Sequence, residues 1–130
     1  MKLQRIFWAL CIILLSHHTA RAEAPAGMVL YFKSGGEVYL LLAEHAGSQR
    51  GWAAFGGGDR EGETIPQTAA HKTYEETRSY FSRAELEAKI KGQEPLMDGS
   101  YATYFAEVDF VPIQRIMNNP VPEEDDAFGE

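Results

Sequence analysis

The chemically suggestive group in this sequence consists of two adjacent glutamates and a nearby lysine. Lys72, Glu75 and Glu76 are spaced at i, i+3 and i+4, so a helix would place all three on one face. The glycine-rich segment that includes Gly56 and Gly57 could cross this face closely, because glycine permits close backbone approach. Two carboxylates and a backbone carbonyl are oxygen ligands of the kind that Mg²⁺ or Mn²⁺ prefers. The group therefore predicts a divalent-metal site, where the metal would bridge two phosphates and help to deprotonate water.

Turn and capping signals predict the elements that would position this group. Two apolar runs, 27–33 and 37–44, flank a glycine turn and indicate a β-hairpin. Capping-box spacings predict one helix over about 66–81 and a second, shorter helix over about 83–91. Residues 101–111 alternate between apolar and polar positions, which predicts a strand at the centre of the sheet. The residues between the second helix and this strand are expected to form a loop.

The stretch from Gly57 to residue 79 resembles the Nudix box of the Nudix hydrolase family. That box is Gly, five residues, Glu, seven residues, Arg-Glu, an apolar residue, any residue, Glu-Glu, any residue, Gly and an apolar residue. Gly57, Glu63, Glu75 and Glu76 lie at the box spacings without a gap. The flanking Gly-Glu-Thr and Glu-Glu-Thr sequences also agree with common family forms, and the resemblance covers roughly residues 26–112.

The resemblance implies an α/β fold, a Nudix-like α/β/α sandwich with a mixed sheet. The family usually adds a final strand and a helix beyond the point where this sequence stops, so we expect a version shortened at the C-terminus. The implied activity is hydrolysis of a diphosphate linkage in a nucleoside diphosphate joined to another group, with Mg²⁺ or Mn²⁺. Glu75 and Glu76 would bind the metal and act in catalysis, with the Gly56 carbonyl as a third ligand. Gly57 and Glu63 would hold the loop on the helix.

Several residues depart from the box, and the departures bear on this activity. His71 and Lys72 replace the Arg-Glu pair. In the family, the glutamate at the position of Lys72 is a principal metal ligand, and an ammonium there repels a divalent ion. His71 falls opposite Glu63, where it would be a pH-sensitive substitute for the box arginine. Arg78 replaces the late glycine, which predicts that the first helix continues to Phe81 instead of ending at the box.

Two interpretations from other classes stay open. The domain could be a catalytically impaired relative that binds an anionic ligand, with Lys72 contacting phosphate directly. It could also be an interaction domain that keeps only the fold, with Glu75 and Glu76 on a solvated helix face and Lys72 as an ion-pair partner of Glu76. Glu107 and Asp109 are interpreted as the polar side of a half-covered sheet and not as additional metal ligands.

The N-terminal residues 1–22 have the pattern of a signal peptide. Lys2 and Arg5 form a basic region, residues 6–15 are apolar, and Ala20-Arg-Ala22 fits a cleavage site. The apolar run is shorter than the roughly 20 residues needed to span a bilayer, so we expect no membrane anchor after cleavage. This pattern predicts an exported protein, periplasmic or secreted. A single Nudix-like domain would occupy 23–117, followed by an acidic, flexible tail over 118–130.

Composition narrows the class of partner. The net charge is −7, and cleavage of the basic signal would make the protein more acidic still. An acidic domain is a poor electrostatic match to nucleic acid or anionic lipid. Cys11, the single cysteine, lies in the signal segment, so the predicted mature chain has no disulfide and no thiolate metal site. The expected partner is therefore not nucleic acid, and the resemblance implies a small-molecule diphosphate.

Overall fold

A computed structural model describes residues 23–44, 49 and 51–122. The predicted signal peptide and residues 123–130 of the predicted tail lie outside the described residues. Among the helices of the described part, none has the length and apolar character to cross a membrane. In chain order the elements are β1 (Ala26–Ser34), β2 (Glu37–Leu41), β3 (Ala43–Glu44), β4 (Trp52–Ala53), β5 (Phe55–Gly57), α1 (Ile65–Glu76), α2 (Arg83–Ile90), β6 (Leu96–Asp98), β7 (Tyr101–Glu107) and α3 (Ile113–Met117).

The main sheet is mixed, with the strand order β2-β1-β7-β6, and β5 pairs with the beginning of β1. β1 runs antiparallel to β2 and β5 and parallel to β7. The predicted mixed sheet and the predicted hairpin are therefore confirmed. The prediction that the late strand is central is also confirmed, since β7 lies between β1 and β6. Strands β3 and β4 form a separate two-stranded sheet.

Four short elements, β4, β5, β6 and α3, appear where the sequence predicted none. β6 lies in the segment expected to be a loop, and α3 lies just before the predicted tail. β6 has three residues, too few to produce a recognisable alternation, and it forms because β7 offers it an edge to pair with. The fold thus extends through α3, to Met117.

The hydrophobic core lies on one face of the sheet. On β7 the buried residues Ala102, Tyr104 and Ala106 alternate with more exposed ones, and Met28 and Leu30 on β1 share their face. Buried side chains from α1, α2 and α3 join the same core cluster. The opposite face carries Val29, Tyr31, Val38, Leu40, Tyr101, Thr103 and Phe105, of which Phe105 is 41% exposed and Leu40 is 55% exposed. A second helical layer is therefore not found among residues 23–44, 49 and 51–122.

Small residues allow α1 to pack closely on this sheet. Ala69, Ala70, Thr73 and Thr77 are buried along its inner face. The two threonine hydroxyls donate to carbonyls one turn earlier, Thr73 Oγ1 to Ala69 O at 2.8 Å and Thr77 Oγ1 to Thr73 O at 2.7 Å. Their burial is tolerated because each hydroxyl has a hydrogen-bond partner. At the other end, the backbone N–H of Thr64 donates to Gln67 Oε1 at 2.9 Å, as expected in a capping box.

The prediction that α1 continues to Phe81 is wrong, because the helix ends at Glu76. Arg78 N donates to Glu75 O, and Ser79 N donates to Tyr74 O, the two hydrogen bonds of a Schellman ending. Such an ending needs a left-handed residue, and Arg78 and Ser79 have φ values of 53° and 60°. Arg78 thus adopts the backbone conformation for which glycine is preferred, at the position where the Nudix box has glycine.

Candidate functional site

The glycine segment of β5 crosses the exposed side of α1 near the C-terminal end of the helix. The backbone N–H of Gly56 donates to Glu76 Oε2 at 2.9 Å. A Cβ atom on Gly57 would lie 3.0 Å from Lys72 Cδ, so the lysine side chain packs directly on this glycine. The close approach predicted from the glycines is present, and the absence of side chains at these positions makes it possible.

Glu75 is in contact with two cationic side chains and with His71. Its Oε1 atom accepts a hydrogen bond from Arg60 Nη1 at 3.0 Å and lies 3.2 Å from His71 Nε2. Its Oε2 atom accepts a hydrogen bond from Lys72 Nζ at 3.2 Å. Lys72 therefore pairs with Glu75 and not, as the sequence suggested, with Glu76. Glu75 is 21% exposed, so these contacts are only partly screened by solvent.

Glu63 forms a second centre of charge, deeper in the loop before α1. Its Oε1 atom lies 2.7 Å from His71 Nδ1 and 2.9 Å from Arg83 Nη2, and Arg60 Nε is 3.9 Å away. The predicted contact between His71 and Glu63 is thus present. Arg83, the first residue of α2, was not predicted to take part. Its contact links α2 to the loop, while Oε2 of Glu63 is buried without a hydrogen bond.

His71 joins these two centres. The residue is only 3% exposed, and its two ring nitrogens face Glu63 on one side and Glu75 on the other. A neutral imidazole has one N–H and an imidazolium has two, so only the imidazolium can donate to both carboxylates. Glu63, His71 and Glu75, with Arg60, thereby form one continuous polar network between the loop and α1.

The side chains at this site fit a divalent metal poorly. Metal binding needs carboxylate oxygens that are free to coordinate, but both oxygens of Glu75 are held by cationic groups. Lys72 adds a positive charge where a third carboxylate would be needed. Within the part of the chain that the structure describes, no three His, Cys, Asp or Glu side chains are grouped as a metal site would require. Gly56 contributes its N–H to Glu76, and its carbonyl remains only a predicted ligand.

Tyr101 is a neighbour of this site that the sequence did not reveal. Its hydroxyl lies against the backbone of Gly27 and Gly56, so a Cβ atom on either glycine would overlap it. Burial, with a smaller contribution from the charge of Glu76, raises the pKa of Tyr101. The one sequence signal for this contact is the pair of glycines that makes room for the hydroxyl, Gly27 and Gly56. Their pairing across β1 and β5 can be recognised only when the strand register is known.

Three large aromatic side chains and Glu107 lie outside this polar network. Phe55 and Tyr104 are both 4% exposed and belong to the core, while Trp52 is 67% exposed on β4. Glu107 pairs with Lys33 at 3.0 Å on the exposed side of the sheet. This ion pair agrees with the interpretation of Glu107 as part of the polar side of the sheet.

Comparison with known proteins yields no relative for this chain. No protein-family model matches it, and neither a curated protein nor a solved structure matches it. The contacts between β5 and α1 are therefore the basis for a proposal about its function.

Proposed function

We propose that this chain is a Nudix-like domain that binds a small-molecule diphosphate, with the ammonium of Lys72 in the role that the family gives to a divalent metal. The observation that carries the proposal is the contact of Lys72 Nζ with Glu75 Oε2, at 3.2 Å, beside the glycine strand. An ammonium is a compact point charge with three donors, so it can bind a carboxylate and a phosphate together.

The packing of Lys72 supports this role. Its aliphatic part lies on Gly57, and its side chain is 24% exposed. The ammonium is therefore held near one position while part of the side chain remains accessible to a ligand. This restraint lowers the entropy lost on binding, relative to a lysine that is free in solvent.

The charges around Lys72 are compatible with an anionic ligand. Arg60 and Lys72 both contact Glu75, which offsets the negative charge of this carboxylate. Glu76 contacts the N–H of Gly56 and would still repel a phosphate. We therefore expect modest affinity that weakens as salt concentration rises.

The test is calorimetric titration of the purified full chain with inorganic pyrophosphate in the presence of EDTA. Binding is expected without metal, and Lys72→Met should weaken it by about 10- to 100-fold, because a hydrogen bond to a charged group contributes about 1.5–3 kcal/mol. Lys91→Met is the matched control, since Lys91 is exposed at the end of α2. Equal losses in both variants, or binding that needs Mg²⁺, would refute the proposal.

The second candidate is the activity implied by the resemblance, hydrolysis of a nucleoside diphosphate linked to another group with Mg²⁺ or Mn²⁺. Two observations favour it. Glu75 and Glu76 retain their box spacing next to the glycine strand, and Arg78 retains the backbone conformation of the box glycine. The test is phosphate or pyrophosphate release from a panel of nucleotide sugars and nucleoside diphosphates, with Glu76→Gln as the comparison. Turnover that disappears in Glu76→Gln would support the hydrolase.

Export remains a separate proposal. It rests on the basic, apolar and small-residue pattern of residues 1–22. The test is the intact mass of the protein recovered from the periplasm and the cytoplasm of a bacterial expression host. A mass that corresponds to a chain beginning at Glu23, found in the periplasm, is expected. A full-length chain found only in the cytoplasm would refute export.

A further inference from the structure

The two edges of the main sheet are protected to different degrees. At one edge, β6 is only three residues long and lies between Pro95 and Gly99. Short length and a nearby proline both prevent an edge from pairing with another chain. Beyond β6, the side chain of Gln93 takes the place of a strand. Phe105 N donates to Gln93 Oε1 at 2.7 Å, and Gln93 Nε2 donates to Phe105 O at 2.9 Å. This edge is therefore closed.

β2, at the other edge, lacks this protection. The strand Glu37–Leu41 contains no proline, no lysine and no glycine, and valine and tyrosine are residues that favour strand pairing. Val38 is 59% exposed and Leu40 is 55% exposed. Among the described strands, β1 is the one that pairs with β2. The outer side of β2 is therefore left open.

The strand register identifies the backbone groups that face this open edge. Tyr31 O accepts a hydrogen bond at 2.8 Å from the first backbone N–H after β7, so Tyr31 directs its backbone groups toward β7. Consecutive strand residues direct these groups to opposite edges. Phe32 therefore bonds to β2, where its partner is Tyr39. It follows that the N–H and C=O groups of Val38 and Leu40 point away from β1. Within residues 23–44, 49 and 51–122 these groups have no hydrogen-bond partner.

The open edge is complementary to itself. When two copies of β2 are paired antiparallel about Tyr39, Val38 of each copy lies opposite Leu40 of the other. Both residues direct their backbone groups outward, so each such pair can exchange two hydrogen bonds. Tyr39 lies opposite Tyr39 of the second copy, and aromatic cross-strand pairs stabilise antiparallel sheets. Glu37 lies opposite Leu41, so no like charges are directly opposed.

We propose that β2 is a homodimer interface, at which the β2 strands of two copies of this chain pair antiparallel about Tyr39. The partner is a second copy because the outward backbone groups, the side-chain pairs and the charges of β2 all match those of the same strand related by a two-fold axis. A five-residue strand offers much less area than the roughly 1,600 Å² of a standard interface. We therefore expect a dimer that dissociates on dilution. The inference is independent of diphosphate binding.

The test is sedimentation velocity of the full chain between about 1 μM and about 1 mM, a range that detects weak dimers. Val38→Pro removes an outward N–H but no hydrogen bond to β1. It should weaken dimerisation about tenfold or more, because the two-fold symmetry removes that hydrogen bond twice. Leu40→Lys places on the open edge a residue that natural sheets use to prevent pairing, and it should also shift the chain to the monomer.

Leu96→Lys is the matched control for Leu40→Lys, because Leu96 is 63% exposed and lies on the closed edge, in β6. It should leave the dimer unchanged. Circular dichroism checks the fold of each variant, and Leu40→Lys decides the test if Val38→Pro does not fold. A wild-type chain that stays monomeric over the whole range would refute the inference. A dimer that persists in Leu40→Lys, or that Leu96→Lys weakens equally, would also refute it, because association would then use another surface.

Discussion

The two carboxylate centres of the loop and α1 differ in what their surroundings allow. Glu63 accepts contacts from His71 and Arg83, which belong to two different helices, and it fixes the loop against both. Glu75 instead meets Arg60, His71 and Lys72 at the partly exposed side of α1. The first centre is a structural anchor. The second, the Glu75 centre, includes Lys72, whose side chain is 24% exposed.

The difference teaches that the two halves of the box-like stretch depart from the Nudix pattern to unequal extents. The anchor has His71 where the Nudix box has arginine, and both His71 and Arg83 contact Glu63. The Glu75 centre has Lys72 where the Nudix box has glutamate, and among the described residues no three metal-ligating side chains are grouped there. An anchor needs only complementary charge and shape, whereas a metal site needs a defined number of oxygen ligands.

The largest expected effect comes from breaking the anchor. Glu63→Ala should destabilise the protein by about 2–3 kcal/mol, because it leaves the buried His71 without its acceptor and removes the contact with the partly exposed Arg83. The measurement is the free energy of unfolding from urea titration. Glu61→Ala is the control, since Glu61 is exposed in the same loop, and it should change stability by less than about 0.5 kcal/mol. Similar losses in the two variants would show that Glu63 is not an anchor.

The anchor was predictable in part, because the register of the box placed His71 opposite Glu63. Arg83 was not predictable, since it reaches Glu63 from α2 and no local pattern encodes a contact between two helices. The hairpin and the central strand followed from periodicity and turn residues. The end of α1 could not be predicted from such signals, because Arg78 and Ser79 adopt a left-handed conformation that their residue types do not favour. The position of Tyr101 beside Gly56 could not be predicted, because it depends on a strand register that only the folded sheet defines.

The comparison can be sharpened by placing a carboxylate at position 72, in the Glu75 centre. Lys72→Glu should create affinity for Mg²⁺ or Mn²⁺, because it removes an ammonium and adds oxygen ligands next to Glu75 and Glu76. The expected result is a metal-dependent stabilisation of about 1.4–2.7 kcal/mol at metal concentrations of about 10 to 100 times Kd, absent from the wild type. The measurement is thermal unfolding with and without metal. Lys91→Glu makes the same change in charge away from the site.

Two outcomes would contradict this prediction. Equal stabilisation of Lys72→Glu and Lys91→Glu by Mg²⁺ would reflect only the added negative charge. Metal-dependent stabilisation of the wild type itself would show that Lys72 tolerates a metal, and it would favour the hydrolase over metal-independent binding.

The smallest expected effect concerns the end of α1, which follows directly after Glu75 and Glu76. Ser79→Gly should stabilise the protein by about 0.5–1 kcal/mol, because glycine adopts a φ near 60° without the steric cost that serine has there. Arg78→Gly should gain less, since Arg78 Nη1 donates to Met117 O and the variant loses this contact with α3. The measurement for both is the urea midpoint at constant m value. If Arg78→Gly is the more stable variant, the contact with Met117 contributes nothing, and the helix ending would need only the conformation that the box glycine provides.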